Sequence, residues 1–141
     1  MKKQMVIDSS VVVKWFDERE DHVREALGIL EAFVERRIDV IVPDLLFYEV
    51  GNVFIKKWPG ENQKMKSSLS KLWRLPWFLA PLRESLLKRT FELADQNRIT
   101  FYDALFLATA ENSGAEMVTA DLKFLKKVTH FSFAKSLDSF S

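Results

Sequence analysis

MVIDSSVVVKWF, residues 5–16, carries the fold in miniature. An apolar run over 4–7 reads as a short strand and ends at Asp8; Ser9 and Ser10 can then cap the brief helix read from SVVVKWF. Asp8 therefore stands at the carboxyl end of a strand. Three further acids are set just beyond or inside apolar runs: Glu49 in LLFYEVGNVF (45–54), Asp103 in FYDALFLATA (101–110) and Asp121 in MVTADLKF (117–124). Carboxylates are hard oxygen donors, and several of them drawn from distant parts of one fold suit Mg²⁺ or Mn²⁺ chemistry on phosphates. Taken singly, Asp8, Asp103 and Asp121 are ordinary turn or cap acids and Glu49 an ordinary helix-surface acid. A single shared site accounts for all four together.

Outward from the first segment, Val23, Ala26, Leu27, Leu30, Phe33 and Val34 recur at helical spacing and predict an amphipathic helix over 21–37, followed by a strand over 39–42. Pro43 and Asp44 open a helix that carries Glu49 and Asn52 on one face and stops at Pro59 and Gly60. A helix over 61–74 has a thin seam of Met65, Leu69 and Leu72 and a basic outside; Pro76 ends it, and a short strand is expected over 77–80. Helical spacing returns over 83–97. From Asp103 to Ala110 nearly every residue is apolar or small, which predicts a helix buried on most sides that nonetheless opens on an ionisable group. A strand over 117–119, Asp121 just past its end, a short helix over 122–127 and a last strand over 131–133 complete the reading. Strands alternating with helices at this spacing imply an α/β fold with a mostly parallel sheet covered on both faces. No repeat, low-complexity tract or linker interrupts it, so 1–141 reads as one domain. In such sheets ligands bind beyond the carboxyl ends of the strands, where Asp8 and Asp121 both fall.

Composition permits this fold and narrows the chemistry. With 141 residues, 48% hydrophobic and 29% charged, the chain can bury a sizeable core. The absence of cysteine removes disulfides, thiolate zinc sites and cysteine nucleophiles. The apolar stretch before Asp8 is too short for a signal-peptide core, and no later run approaches membrane-spanning length, so a soluble, cytoplasmic protein is expected. A net charge of +1 neither demands nor forbids nucleic acid as a partner. His22, in a charged segment, and His130, beside Phe131, have no motif context and read as surface or structural residues.

Together the segments DSSVVVKWF, PDLLFYEVGNVF and ITFYDALFLATAENSGAEMVTAD resemble the PIN domain family, and within it the VapC-type toxins of toxin–antitoxin pairs. The resemblance covers essentially the whole chain. It implies a three-layer α/β/α sandwich with a parallel sheet of about five strands, an Mg²⁺- or Mn²⁺-dependent ribonuclease, a homodimer, and capture by a small VapB-like antitoxin protein. By position it makes Asp8, Asp103 and Asp121 metal ligands and catalytic acids, with Glu49 a further ligand or a water-positioning group. An RNA-processing or structure-specific DNA nuclease of the same fold, or a binding module with a vestigial site, would use the same residues.

Supporting residues follow from position. Thr119 lies two before Asp121 on an extended segment, so its hydroxyl can hold Asp8 or Asp121; Asn52 can orient Glu49 or a phosphate, and Ser9 can cap. Asp17 and Glu18 read as solvated loop acids. Lys14, Lys56, Lys57, the basic face over 64–74, Lys123, Lys126 and Lys127 are the cations available to a substrate, and Trp15, Trp58, Trp73, Trp77 and Phe78 are available for base stacking, core or interface.

Overall fold

The apolar end of the first strand is covered from both sides: Met5, Val6 and Ile7 are all fully buried, which requires a layer of helices on each face of the sheet. The computed structural model describes residues 2–140. In chain order the elements are β1 (Lys3–Ile7), α1 (Ser9–Val12), a 3₁₀ turn (Val13–Trp15), α2 (Val23–Val34), β2 (Ile38–Val42), α3 (Leu45–Lys57), α4 (Asn62–Trp73), β3 (Phe78–Leu79), α5 (Glu84–Asn97), α6 (Phe101–Ser113), β4 (Glu116–Thr119), α7 (Leu122–Val128), β5 (Ala134–Ser136) and a closing 3₁₀ turn (Leu137–Ser139). The five strands form one sheet in the order β3-β2-β1-β4-β5, every pair parallel. Right-handed crossovers, the hand that such connections nearly always take, put α1 to α4 on one face and α5 to α7 on the other. The packing agrees, with α6 against β1, β2 and β4, and α2 against β2.

The chain leaves β1 towards β2 on one side and leaves β4 towards β5 on the other, so the switch point lies between β1 and β4. Register sets the chemistry there. Ile7 pairs with Val118, so the next residues along, Asp8 and Thr119, emerge level with each other. α6 forms the floor of the second layer, with Ala104, Phe106, Leu107, Ala108, Thr109 and Ala110 all buried; the Thr109 hydroxyl donates to the Leu105 carbonyl at 2.7 Å and so carries no unmet polar group into the core.

Several boundaries differ from the sequence reading, each for a local reason. α2 spans 23–34 rather than 21–37 because His22 and Arg36 take left-handed backbone conformations, φ 58° and 59°, that a helix cannot include. α6 begins at Phe101, two residues before Asp103: Thr100 is the cap and its Oγ accepts from the Asp103 N–H at 3.0 Å. The last strand is Ala134–Ser136, not 131–133. Phe131 and Phe133 have strand-like composition but form a packed aromatic pair, centroids 5.6 Å apart, in the turn that precedes it.

The aromatic residues divide between core and surface. Trp77 stacks with Trp15 and meets Phe33 and Phe47 edge-on, and each indole N–H is satisfied internally, Trp15 by Ala26 and Trp77 by Leu72. Trp58 packs on Phe54, whereas Trp73 and Phe78 are exposed. Trp15 and Trp77 are therefore structural.

Asp17 also departs from expectation: it is buried, only 6% exposed, where Glu18 beside it is exposed. Its carboxylate accepts from the Arg19 guanidinium and from Lys57 Nζ at 2.8 Å; Lys57 also bonds Glu20, which takes Lys14 Nζ at 3.2 Å. Lys14, 7% exposed, donates again to the Asp21 carbonyl at 2.6 Å. This network ties the loop before α2 to the last turn of α3, and it removes Lys14 and Lys57 from the cations open to a substrate. The hydrogen bonds from Arg19 and Lys57 hold the Asp17 carboxyl well below the ordinary aspartate range. A depressed folded-state pKa means that the stabilisation is present above the ordinary Asp range and is lost as pH falls. Asp17→Asn is accordingly expected to lower the thermal midpoint at pH 7 and Glu18→Gln to leave it unchanged. The gap between wild type and Asp17→Asn should close as the melts are repeated towards pH 3.

Candidate active site

Asp8 caps α1 from the end of β1 and is 6% exposed. Its Oδ1 accepts from the Ser10 N–H at 3.1 Å and from the Ser10 hydroxyl, and its Oδ2 accepts from the Thr119 hydroxyl at 2.5 Å. The two hydroxyls are themselves held from β4's end: Ser10 Oγ accepts from the Ala120 N–H at 2.9 Å and Thr119 Oγ1 from the Asp121 N–H at 3.1 Å. Asp121 caps α7, its Oδ1 accepting from the Phe124 N–H at 3.1 Å. Asp103 sits half-buried in the first turn of α6, and Glu49 half-buried on α3 with its Oε1 accepting from the Ser9 hydroxyl at 3.0 Å.

Four separate elements thus bring the four acids to one end of the sheet, and the charges of neighbouring acids reach Asp8, Glu49 and Asp103. Burial pushes the Asp8 carboxyl up to about 6, with the charges of Asp103 and Asp121 adding to the rise and the Ser10 and Thr119 hydrogen bonds opposing it. Burial also raises Glu49, reinforced by Asp8 and Asp103, and raises Asp103, reinforced by Asp121. Hard oxygen donors in mutual repulsion are the donor set that a divalent cation stabilises. Among the described residues, no three Asp, Glu, His or Cys side chains stand close enough together to hold a metal ion in their present rotamers.

Other expected residues lie elsewhere or act differently. Asn52 is exposed, and the hydrogen bond on Glu49 comes instead from Ser9, another of the supporting residues expected from the sequence. Ser10 was read as a second capping serine, yet it bridges Asp8 to β4; the Asp-x-Ser spacing at 8–10 was its signal. His22 pairs with Glu25 and His130 lies against Phe131. A cavity of about 500 Å³, lined by Gln4, Asp39, Ile41, Phe78, Arg83 and Asn112, includes none of the four acids.

The PIN domain family model matches residues 5–129, a span that contains all four acids. The chain belongs to the PIN domain family. Among curated relatives, this PIN domain is 27% identical over 104 residues to the exonuclease VapC9 of Pyrobaculum aerophilum, covering 69% of this chain and 73% of that protein. It is 26% identical over 133 residues to the ribonuclease VapC3 of the same organism, covering 88% and 94%. Among solved structures, a toxin–antitoxin complex from Klebsiella pneumoniae superposes with a TM-score of 0.64 at 21% identity, covering 92% of this chain and 94% of that one, which shows a common fold. No helix among the described residues is long and apolar enough to cross a membrane.

The raised Asp8 pKa has a definite sign in folding. The folded state holds this proton more tightly than the unfolded chain, so stability is greatest below the ordinary value of 3.8, falls as pH rises towards 6 and then levels off. The full difference, from 3.8 to about 6, corresponds to about 3 kcal/mol at most. Asp8→Asn keeps the shape and removes the charge. In EDTA it is expected to be more stable than wild type at pH 8 and to show a shallower decline between pH 4 and 6, the remainder belonging to Glu49 and Asp103, read from denaturant melts across that range.

Proposed function

We propose that this PIN domain is a divalent-metal-dependent endoribonuclease, the toxin of a toxin–antitoxin pair. The observation that carries the proposal is the convergence of Asp8, Glu49, Asp103 and Asp121, from four elements, at the switch point of the sheet, with Asp8 buried and its charge opposed by its neighbours. The relatives named as ribonuclease and exonuclease support nucleic-acid hydrolysis, and the toxin–antitoxin complex of like fold supports a small protein inhibitor as partner.

In this reading Asp8, Asp103 and Asp121 hold Mg²⁺ or Mn²⁺, with Glu49 as a further ligand or as the group that orients water. The bound ion supplies a Lewis acid for a phosphate oxygen and lowers the pKa of a water. The chain's own contribution is positional. Thr119 and Ser10 fix both oxygens of Asp8, so that its charge is presented in one orientation, and both hydroxyls are anchored on backbone N–H groups of β4's end. Ser9 occupies Glu49 Oε1, leaving Oε2 to orient the attacking water or accept its proton. Water adds to phosphorus, the bond to the 3′ oxygen breaks, and 5′-phosphate and 3′-hydroxyl ends result. The site lacks an apposed histidine, and Glu49 fills that role. The protein acts as a homodimer in the cytoplasm.

Because one relative is named as an exonuclease, the substrate form decides between cutting modes. A circular RNA offered beside its linear form, in Mg²⁺ or Mn²⁺, is expected to be opened by wild type. It should remain closed with EDTA and with an Asp8→Asn, Asp103→Asn double variant whose circular dichroism matches wild type, a loss of at least about a hundredfold. Cutting of the linear form alone would assign an exonuclease. No cutting of either form, with no calorimetric binding of Mn²⁺, would leave a binding module with a vestigial site.

A further inference from the structure

An acid cluster that accepts a polyanion needs positive charge beside it, and the structure withdraws two of the lysines that the sequence offered for that use. Lys14 and Lys57 are engaged by Asp17, Glu20 and the Asp21 carbonyl. Lys127, in the last turn of α7, is exposed and tethered differently. Its Nζ donates to the carbonyl of Arg98 at 3.0 Å, a neutral acceptor, and two of its three N–H donors remain available.

The position of that tether matters. Arg98 ends α5 in a left-handed conformation, φ 54°, and two residues later Thr100 caps α6 with its hydroxyl on the Asp103 N–H. Lys127 is thus drawn to the turn from which Asp103 projects, while α7 itself starts at Asp121. Of the four acids, Asp103 is the one this tether brings within reach of the ammonium. The charge of Lys127 is felt at Asp103, where it opposes the rise imposed by burial and by Asp121.

We propose that Lys127 is a substrate-binding residue of this site, its ammonium held by the Arg98 carbonyl and its remaining donors taken up by a phosphate oxygen of the nucleic acid beside the acids. The assignment rests on the nuclease reading above. A lysine ammonium acts on phosphate as a compact charge, so it contributes to affinity evenly across sequences and reports itself in the salt dependence.

The test is binding of a labelled, unstructured RNA oligonucleotide to the full chain, followed by fluorescence anisotropy from 0.05 to 1 M salt, with Ca²⁺ in place of Mg²⁺ to slow turnover. Lys127→Met is expected to lower the slope of log affinity against log salt by about 0.7, the value for one lost contact on a single strand, which is about fivefold weaker binding at 0.1 M salt and none at 1 M. Lys127→Arg should restore the slope. Mn²⁺ affinity by calorimetry should be unchanged or tighter in Lys127→Met, because a cation has been removed from beside a cation site; a merely structural lysine would weaken it by letting Asp103 drift. An unchanged salt slope with wild-type RNA binding intact would overturn the role of Lys127 alone, and so would weakened Mn²⁺ binding. Failure of wild type to bind RNA at any salt would overturn the nuclease reading and this assignment together.

Discussion

The structure turns on one ion: a carboxylate, Asp8, buried at the end of the central strand. β1 lies between β2 and β4 and is apolar on both faces, so whatever follows Ile7 emerges from the most covered part of the sheet. An acid there is costly to ionise, and its burial outweighs two hydroxyl hydrogen bonds in setting its pKa. The surrounding chain is arranged around that cost. Ser10 and Thr119 donate to it and the backbone beyond β4 donates to them; the two links that cross between the strands, Thr119 to Asp8 and Ala120 to Ser10, depend on the parallel register that sets Asp8 level with Thr119.

The same arrangement explains why the acids come from four elements rather than one. Parallel strands whose connections diverge leave a crevice at their carboxyl ends, and α6 and α3 deliver Asp103 and Glu49 to it from opposite layers. Each helix is held by its own apolar face, α6 most completely, so the carboxylates are kept near one another by packing that their mutual repulsion cannot undo. Local stability given up at Asp8 is the cost of burying an acid among like charges.

A second charged assembly does the opposite work. Three cations, Lys14, Arg19 and Lys57, and two carboxylates, Asp17 and Glu20, pair in a partly buried network that closes the loop before α2 against α3. Its ions are of both signs and in contact, whereas those of the acid cluster are all of one sign. It also redistributes the positive surface, leaving the basic residues of α4 and α7 as the exposed cations.

Much of this was legible in the chain. The period of the apolar residues predicted the alternation of strands and helices, and strand ends predicted that Asp8 and Asp121 would share a side of the sheet, because both facts depend on neighbours a few residues away. Boundaries failed where a single residue left the usual backbone region, as at His22 and Arg36, or where aromatic content imitated a strand, as at Phe131 and Phe133. Of the partners distant in sequence, the Thr119 hydroxyl on Asp8 was anticipated and most others were not. Asp17 and Glu18 are adjacent acids in one loop, and only the arrival of Lys57, 40 residues on, buries one and leaves the other in water. Ser10 and Thr119 likewise meet across 109 residues. Periodicity and composition determine the elements because these are local; the strand order, the register and the pairing of side chains belong to the tertiary structure, since they are set by which surfaces exclude water together.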